Sequence, residues 1–306
     1  MVCTHQSAKL CDRVSFATSP AEGKGFRMSF RPANEQHAIQ VAAFAIGLNK
    51  PVAWNSVEAL IGGPAEWRRS LPAMDLTHVV DVQVNPRNGA PVNRVFRGVE
   101  FSHKRPDGSA EWQLSVVGPE LKVETTAYTR WNDVWAKAGD ILINAAGLIG
   151  VSEMNNDLRV ASLTMVFSDV FFTSDAEPDF GELFSRSCDL LPPAIFQRGP
   201  VWHAYTGWFE ERPEGNVLNQ LNIDVRKGLP EGTLGAMPGD QIAVTVQHNQ
   251  IYRPRAVLTL QPEEGSNAIE NLLLQEVPLM HTYNKNLIQQ LLVSEMQNLI
   301  NINVDN

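Results

Sequence analysis

The patterned part of the chain opens with HAIQVAAFAIGL (37–48), where Ile39, Val41 and Ala43 point to one face and Phe44, Ile46 and Leu48 to the other. Apolar side chains on both faces predict a strand buried in the middle of a sheet. A helix is expected over 55–62, with Asn55 and Glu58 as a capping box and Val57, Leu60 and Ile61 as its apolar stripe. GGP (62–64) stops it, and a short helical piece near 65–70 ends at Pro72. Strands follow at 77–84, 95–102, 110–117 and 120–127. RPDG (105–108) forms the turn between the middle two: Pro106 presets φ and Gly108 tolerates positive φ. Thr129 then caps a helix whose stripe is Trp131, Val134, Trp135, Ala138, Leu142 and Ala145.

The second half repeats this order. A strand is expected at 157–168, a short helix near 178–187, and strands at 200–209 and 216–225 around RPEG (212–215). Two more strands, 240–250 and 254–260, bend at IYRPRAV, and helix closes the chain from about 267. Superposing the two turns sets Gln113 on Gln220, Leu114 on Leu221 and Val116 on Ile223, in one strand phase. The expected fold is therefore α+β: an antiparallel sheet with helices on one face, built from a duplicated β-α-β4-α unit. The first half covers 28–150 and the second 151–306, with a long C-terminal helical region. There Pro278 should break or kink the helix, and SEMQ (294–297) reads as a fresh capping box. Leu273, Val277, Met280, Leu287 and Leu291 form a stripe interrupted by Asn284. That stripe either packs on the chain's own sheet or pairs with a second copy, making a homodimer through the C-terminal helices.

Composition narrows the partners. Of 306 residues, 43% are hydrophobic and 19% charged, with a net charge of −9, which argues against a surface that tracks nucleic-acid phosphates. The densest basic spots, KRP (104–106) and EWRRS (66–70), are small. Three cysteines without framework spacing suit a reducing cytoplasm. Cys3, His5 and Cys11 lie close in sequence but lack the paired ligands a structural zinc site needs, so no metal is expected. No apolar run has signal-peptide or membrane-span length, and a cytoplasmic, non-membrane protein is expected. Residues 1–27 are polar and aperiodic, a flexible tail or a start-site artefact ahead of Met28.

Aromatic residues dominate the remaining chemistry. YTRWNDVW (128–135) and VWHAYTGWF (201–209) offer Tyr128, Arg130, His203 and Tyr205 as a set able to stack on or hydrogen-bond a planar ligand. The competing reading is core packing, which already accounts for Trp131 and Trp135. Asp107, Glu120 and Lys122 imitate a metal-dependent nuclease pattern, but the intervening strand would hold the two carboxylates roughly 25 Å apart. No phosphate loop, dinucleotide fingerprint, GxSxG elbow or HExxH is present. Neither catalytic residues nor a cofactor are assigned.

HAIQVAAFAIGL, YTRWNDVW, DLRVASLTMVFSDVFF and LMHTYNKNLIQQLLVSEMQNLI together resemble a family of sporadically distributed, uncharacterised bacterial proteins, over about residues 28–302. His281, Asn284, Ser294 and Glu295 stand at the positions that carry the likeness. The second strand departs from the charged form typical of that family. The resemblance implies an accessory gene, of the kind found in mobile-element, anti-phage or toxin-related loci, and brings no catalytic residues. The element order also looks like the TATA-binding-protein-like arrangement. The function expected is a non-catalytic binding or assembly component that engages a protein partner or a small ligand. The alternative is a hydrolase or transferase whose site forms through long-range contacts.

Overall fold

The computed structural model describes residues 28–302 apart from 35, 64–65, 85–90, 153–156, 229–240 and 261–264. The Cys3, His5 and Cys11 grouping and the expected tail fall outside the described residues. The chain enters its sheet through Arg31–Pro32 (β1) and Ile39–Leu48 (β2), followed by Trp54–Gly62 (α1) and a 3-10 turn at Glu66–Arg69. Ala73–Val84 (β3), Pro91–Lys104 (β4), Ala110–Val117 (β5) and Glu120–Thr125 (β6) lead into Trp131–Ser152 (α2). Arg159–Thr173 (β7) begins the second half, with 3-10 turns at Phe180–Glu182 and Pro193–Gln197. Trp202–Glu211 (β8), Gly215–Lys227 (β9), Ile242–Pro254 (β10) and Leu258–Thr259 (β11) follow, then Gly265–Leu291 (α3) and Ser294–Leu299 (α4).

One antiparallel sheet joins both halves in the order β3-β4-β5-β6-β2-β7-β10-β9-β8, with β1 and β11 pairing on β7. The joint is the β2·β7 ladder, where Phe44 faces Met165 and Ile46 faces Leu163. Outwards from it, each side meets the last strand of its meander first, and RPDG and RPEG both turn the chain two strands from the joint. Leu114, Val116, Leu221 and Ile223 are all buried on the helix side, whereas Gln113 and Gln220 are half-buried. Phe44, Phe101, Leu114, Val123, Phe167 and Val217 meet α1, α2 and part of α3 in one cluster, while Leu221, Ile223, Val244 and Val246 meet the end of α3 and α4 in another. On β2 the opposite face carries Ala43 and Ala45, also buried, as a central strand requires.

Local chemistry departs from the expectations at several places. Asn55 and Ser294 do not cap: the helices start from Ala53 and Val293, neither with a side-chain cap. Gln297 instead reaches back to the carbonyls of Gln289 (2.6 Å) and Leu292 (2.8 Å), closing the α3–α4 corner. Pro278 lies inside a continuous α3. Its missing N–H would have bonded the carbonyl of Leu274, whose residue is exposed, so water can satisfy the freed acceptor. The helix expected at 178–187 is a single 3-10 turn, and the strand expected to bend at IYRPRAV runs unbroken to Pro254. Leu273, Val277, Met280, Leu287 and Leu291 are buried against the chain's own sheet. Among the described residues one helix, α2, is long and apolar enough to cross a membrane by length and composition, but half of that stretch is buried in the fold.

The two near-identical turns use their glycines differently. Gly108 takes φ +86° in the β4–β5 turn, with nothing near the place of a side chain. Gly215 opens β9, where a Cβ would come within 2.5 Å of the Arg253 carbonyl oxygen and 2.6 Å of the Tyr252 ring. Both arginines turn inwards: Arg105 donates to Thr126 Oγ1 (2.7 Å), and Arg212 pairs with Glu210 (3.0 Å) and Glu276 (3.3 Å). The small basic spots are similarly occupied, Lys104 by Asp75 (2.9 Å) and Arg68 by the Ile61 carbonyl and the Phe101 ring.

Candidate functional site

A cavity of about 480 Å³ lies over the β2·β7 joint, where the start of α2 meets the middle of α3. Three stretches enclose it. Residues 36–39 enter β2, Tyr128–Trp131 lead into α2, and α3 contributes His281, Asn284, Lys285 and Ile288. Those four α3 positions, spaced i, i+3, i+4 and i+7, form one helical face. The turn after α4 closes the rim with Asn301.

The floor is Asp169. It sits inside β7, paired with Ile39 of β2 and Val246 of β10, and only 4% of it is exposed. Strand parity turns it to the helix side with Phe167 and Phe171. No hydrogen-bond or ionic partner reaches its carboxyl among the described residues. Burial pushes the Asp169 carboxyl up to about 7. Tyr128 is raised by its own burial first and by the Asp169 charge second.

The imidazoles around the cavity are held neutral. His281 lies flat on Trp131, ring centroids 3.8 Å apart, and burial, with the Lys285 charge adding to it, lowers it to about 4. Burial also lowers His37, against the pull of the Tyr128 and Ile39 carbonyls. His37 Nε2–H donates to the Tyr128 carbonyl (2.9 Å), and its Nδ1 accepts from the Asn34 amide (3.4 Å), which fixes the tautomer. That bond ties the entry of β2 to the entry of α2. Deeper under α3, His248 Nδ1–H donates to Asn284 Oδ1 (2.8 Å), and burial brings His248 down to about 4. Its Nε2, both side-chain polar atoms of Asn219 and both of Gln250 are buried without partners among the described residues. A polar seam therefore runs from the cavity along the underside of α3.

The four residues expected to share one pocket are divided between two places. Tyr128 and Arg130 line the cavity. His203 and Tyr205 lie on β8, at the opposite end of the path from β3, beside a separate groove lined by Arg186, Cys188 and Arg198. Their side chains alternate away from the helix layer, because Trp202, Ala204 and Trp208 take the core-facing phase. Tyr205 accepts from Gln220 (2.7 Å), which accepts in turn from Asn249 (2.8 Å), while His203 lies 3.8 Å from Asp224.

Sequence reasoning missed Asp169, His37 and the polar face of α3. A strand ending at 168 leaves Asp169 as a terminal residue, but β7 continues to Thr173 and places it mid-strand. The available signal was an acid followed by VFF, in a segment apolar on both faces. Asn284, noted as a break in a core stripe, was the other signal, and it lines the cavity together with His281.

Among the described residues no group of three or more His, Cys, Asp or Glu side chains is arranged to hold a metal ion. Chemically, the cavity offers a buried acid able to accept a proton or a donor, neutral imidazole and indole surface, and Arg130 and Lys285 at its edge. No protein-family model matches this chain, and no curated protein or solved structure is significantly similar to it.

Proposed function

We propose that this chain is a small-ligand-binding protein whose cavity captures a molecule bearing a hydrogen-bond donor or a protonated amine, with Asp169 as its anchor. The observation that carries this reading is the Asp169 carboxyl, buried in the cavity floor with no hydrogen-bond or ionic partner among the described residues. Buried acids in folded chains are nearly always paired, because an unpaired one is costly to ionise. A donor group on a ligand supplies the missing partner and lets the carboxylate form. Trp131, His281 and Tyr128 provide flat surface for a planar or cationic body, and Arg130 and Lys285 provide for an anionic substituent.

A second reading is favoured by the same residue. A carboxyl brought to about 7 is suited to exchange protons at neutral pH, which supports a hydrolase or transferase using Asp169 as general base. Binding comes first here because, among the described residues, no second carboxylic acid lines the cavity to share the acid–base work with Asp169.

The mirrored strand order on either side of β2·β7 and the shared phase of Gln113 and Gln220 support two copies of one β-α-β4-α unit in a TATA-binding-protein-like arrangement. The accessory-locus context rests on the resemblance to the sporadically distributed bacterial family.

The test is a thermal-shift panel of primary amines, guanidines and aminopyrimidines on wild type and Asp169→Asn, with native mass spectrometry of the purified protein. Compounds that stabilise wild type and lose that effect in Asp169→Asn are expected. A panel whose hits are indifferent to Asp169 overturns the reading, and turnover of a hit would favour the catalytic one.

A further inference from the structure

The geometry points to a second copy of this chain pairing along β8, antiparallel and centred on Gly207, so that the sheet continues from one molecule into the next. This inference is independent of the cavity. β8 ends the strand path, and its ten residues bond on one side only, to β9 in unbroken register. Among the described residues no other main chain bonds to its outer edge.

Edge strands in isolated proteins usually carry a lysine, a proline or a bulge that blocks further pairing. β8 has none of these across WHAYTGWFEE. Instead it displays exposed His203, Tyr205, Gly207, Phe209 and Glu211 on the face away from the helices. Tyr205 is 61% and Phe209 68% exposed, among the most open large apolar side chains of the described residues. Tyr205 is nevertheless fixed, since its hydroxyl is held by Gln220, the residue directly opposite Gly207. An aromatic held rigid at the surface loses little freedom when a partner arrives.

The sequence of the strand selects the occupant and the register. A two-fold at Gly207 sets Tyr205 against Phe209 of the second copy, and His203 against its Glu211, each pair occurring twice. Directly opposed residues in an antiparallel pair bring their Cβ atoms to about 4.5–5.5 Å, close enough for both contacts. Moving the centre to 206 puts Tyr205 on glycine and His203 on Phe209. Moving it to 208 puts Phe209 on glycine and Tyr205 on Glu211. Only the Gly207 centre joins aromatic to aromatic and imidazole to carboxylate.

Sedimentation velocity of the intact chain tests this, with Tyr205→Lys, Phe209→Glu and the double variant. Wild type is expected to be a dimer. Each single change should weaken it by about tenfold or more, and Tyr205→Lys/Phe209→Glu should restore it to within about threefold, because the new lysine then faces the new glutamate across the two-fold. Both side chains are solvent-exposed, so circular dichroism should show all four proteins folded. A monomeric wild type overturns the proposal. So does a dimer indifferent to the single changes, which would lie on another surface such as the C-terminal helices. A double variant no tighter than the singles overturns the register.

Discussion

His281 lies on Trp131 with ring planes within 5° of each other, tying the middle of α3 to the first residue of α2. The imidazole is neutral, since burial depresses it to about 4, so its native form binds fewer protons than the unfolded form between about 4 and 6.5. Its contribution to stability is therefore present above 6.5 and is lost as pH falls through 4. His281→Phe should keep the stack and remove up to about 3 kcal/mol of the acid-side loss. His281→Ala should destabilise by about 1–2 kcal/mol at neutral pH. Urea titrations from pH 4 to 8 measure both; an acid limb unchanged in the Phe variant would refute the assignment.

Asp169 should act with the opposite sign. Its native carboxyl, at about 7, holds a proton that the unfolded chain releases near 3.8, so this stability is present below 3.8 and lost as pH rises through 7. The stability of Asp169→Asn relative to wild type should grow by up to about 4 kcal/mol between pH 4 and pH 8. A difference that stays level across that range would mean the carboxyl has a partner in solution.

Two glycines on α2 should respond oppositely. A Cβ at Gly150 would land on the Leu260 carbonyl oxygen, so Gly150→Ala forces α2 away from the segment after β11. It should lower stability by several kcal/mol, on the order of the overpacking penalties seen in cores. Gly147 has nothing within 4 Å of that position, and Gly147→Ala should raise stability by roughly 0.5–1 kcal/mol through helix propensity. Thermal unfolding of the two variants separates them, and equal shifts would contradict the packing described.

Much of this was legible beforehand. Alternation and stripes located β5, α1 and α2 to within a few residues, because each packs one regular face on the core, and an apolar run on both faces located β2. The cavity was not legible, because Asp169, His37 and His281 lie 112 to 244 positions apart and meet only through strand pairing and helix crossing. Propensity also misjudged the caps: Asn55 and Ser294 carry suitable side chains, but tertiary packing starts each helix one or two residues earlier. His203 and Tyr205 were read as companions of Tyr128 because aromatic clustering in sequence says nothing about which edge of a sheet a strand will occupy.

The buried polar pair beneath α3 yields a further expectation. Asn284→Leu strips His248 Nδ1–H of its acceptor and should cost about 1–3 kcal/mol, since a buried donor is left unmade. Adding His248→Phe should recover most of that loss by removing the orphaned group as well. Chemical denaturation of the single and double variants decides it; strictly additive losses would show that the two side chains are not coupled.

Tyr128 and Trp131 come from the chain before Ser152, while Asp169, His281 and Asn284 come from after it, and they meet above the β2·β7 ladder. A molecule lodged between them would work as a clasp. Separately expressed fragments ending and beginning on either side of that point should each lack a complete receptacle, and reassembly of the two should become easier when the guest is supplied.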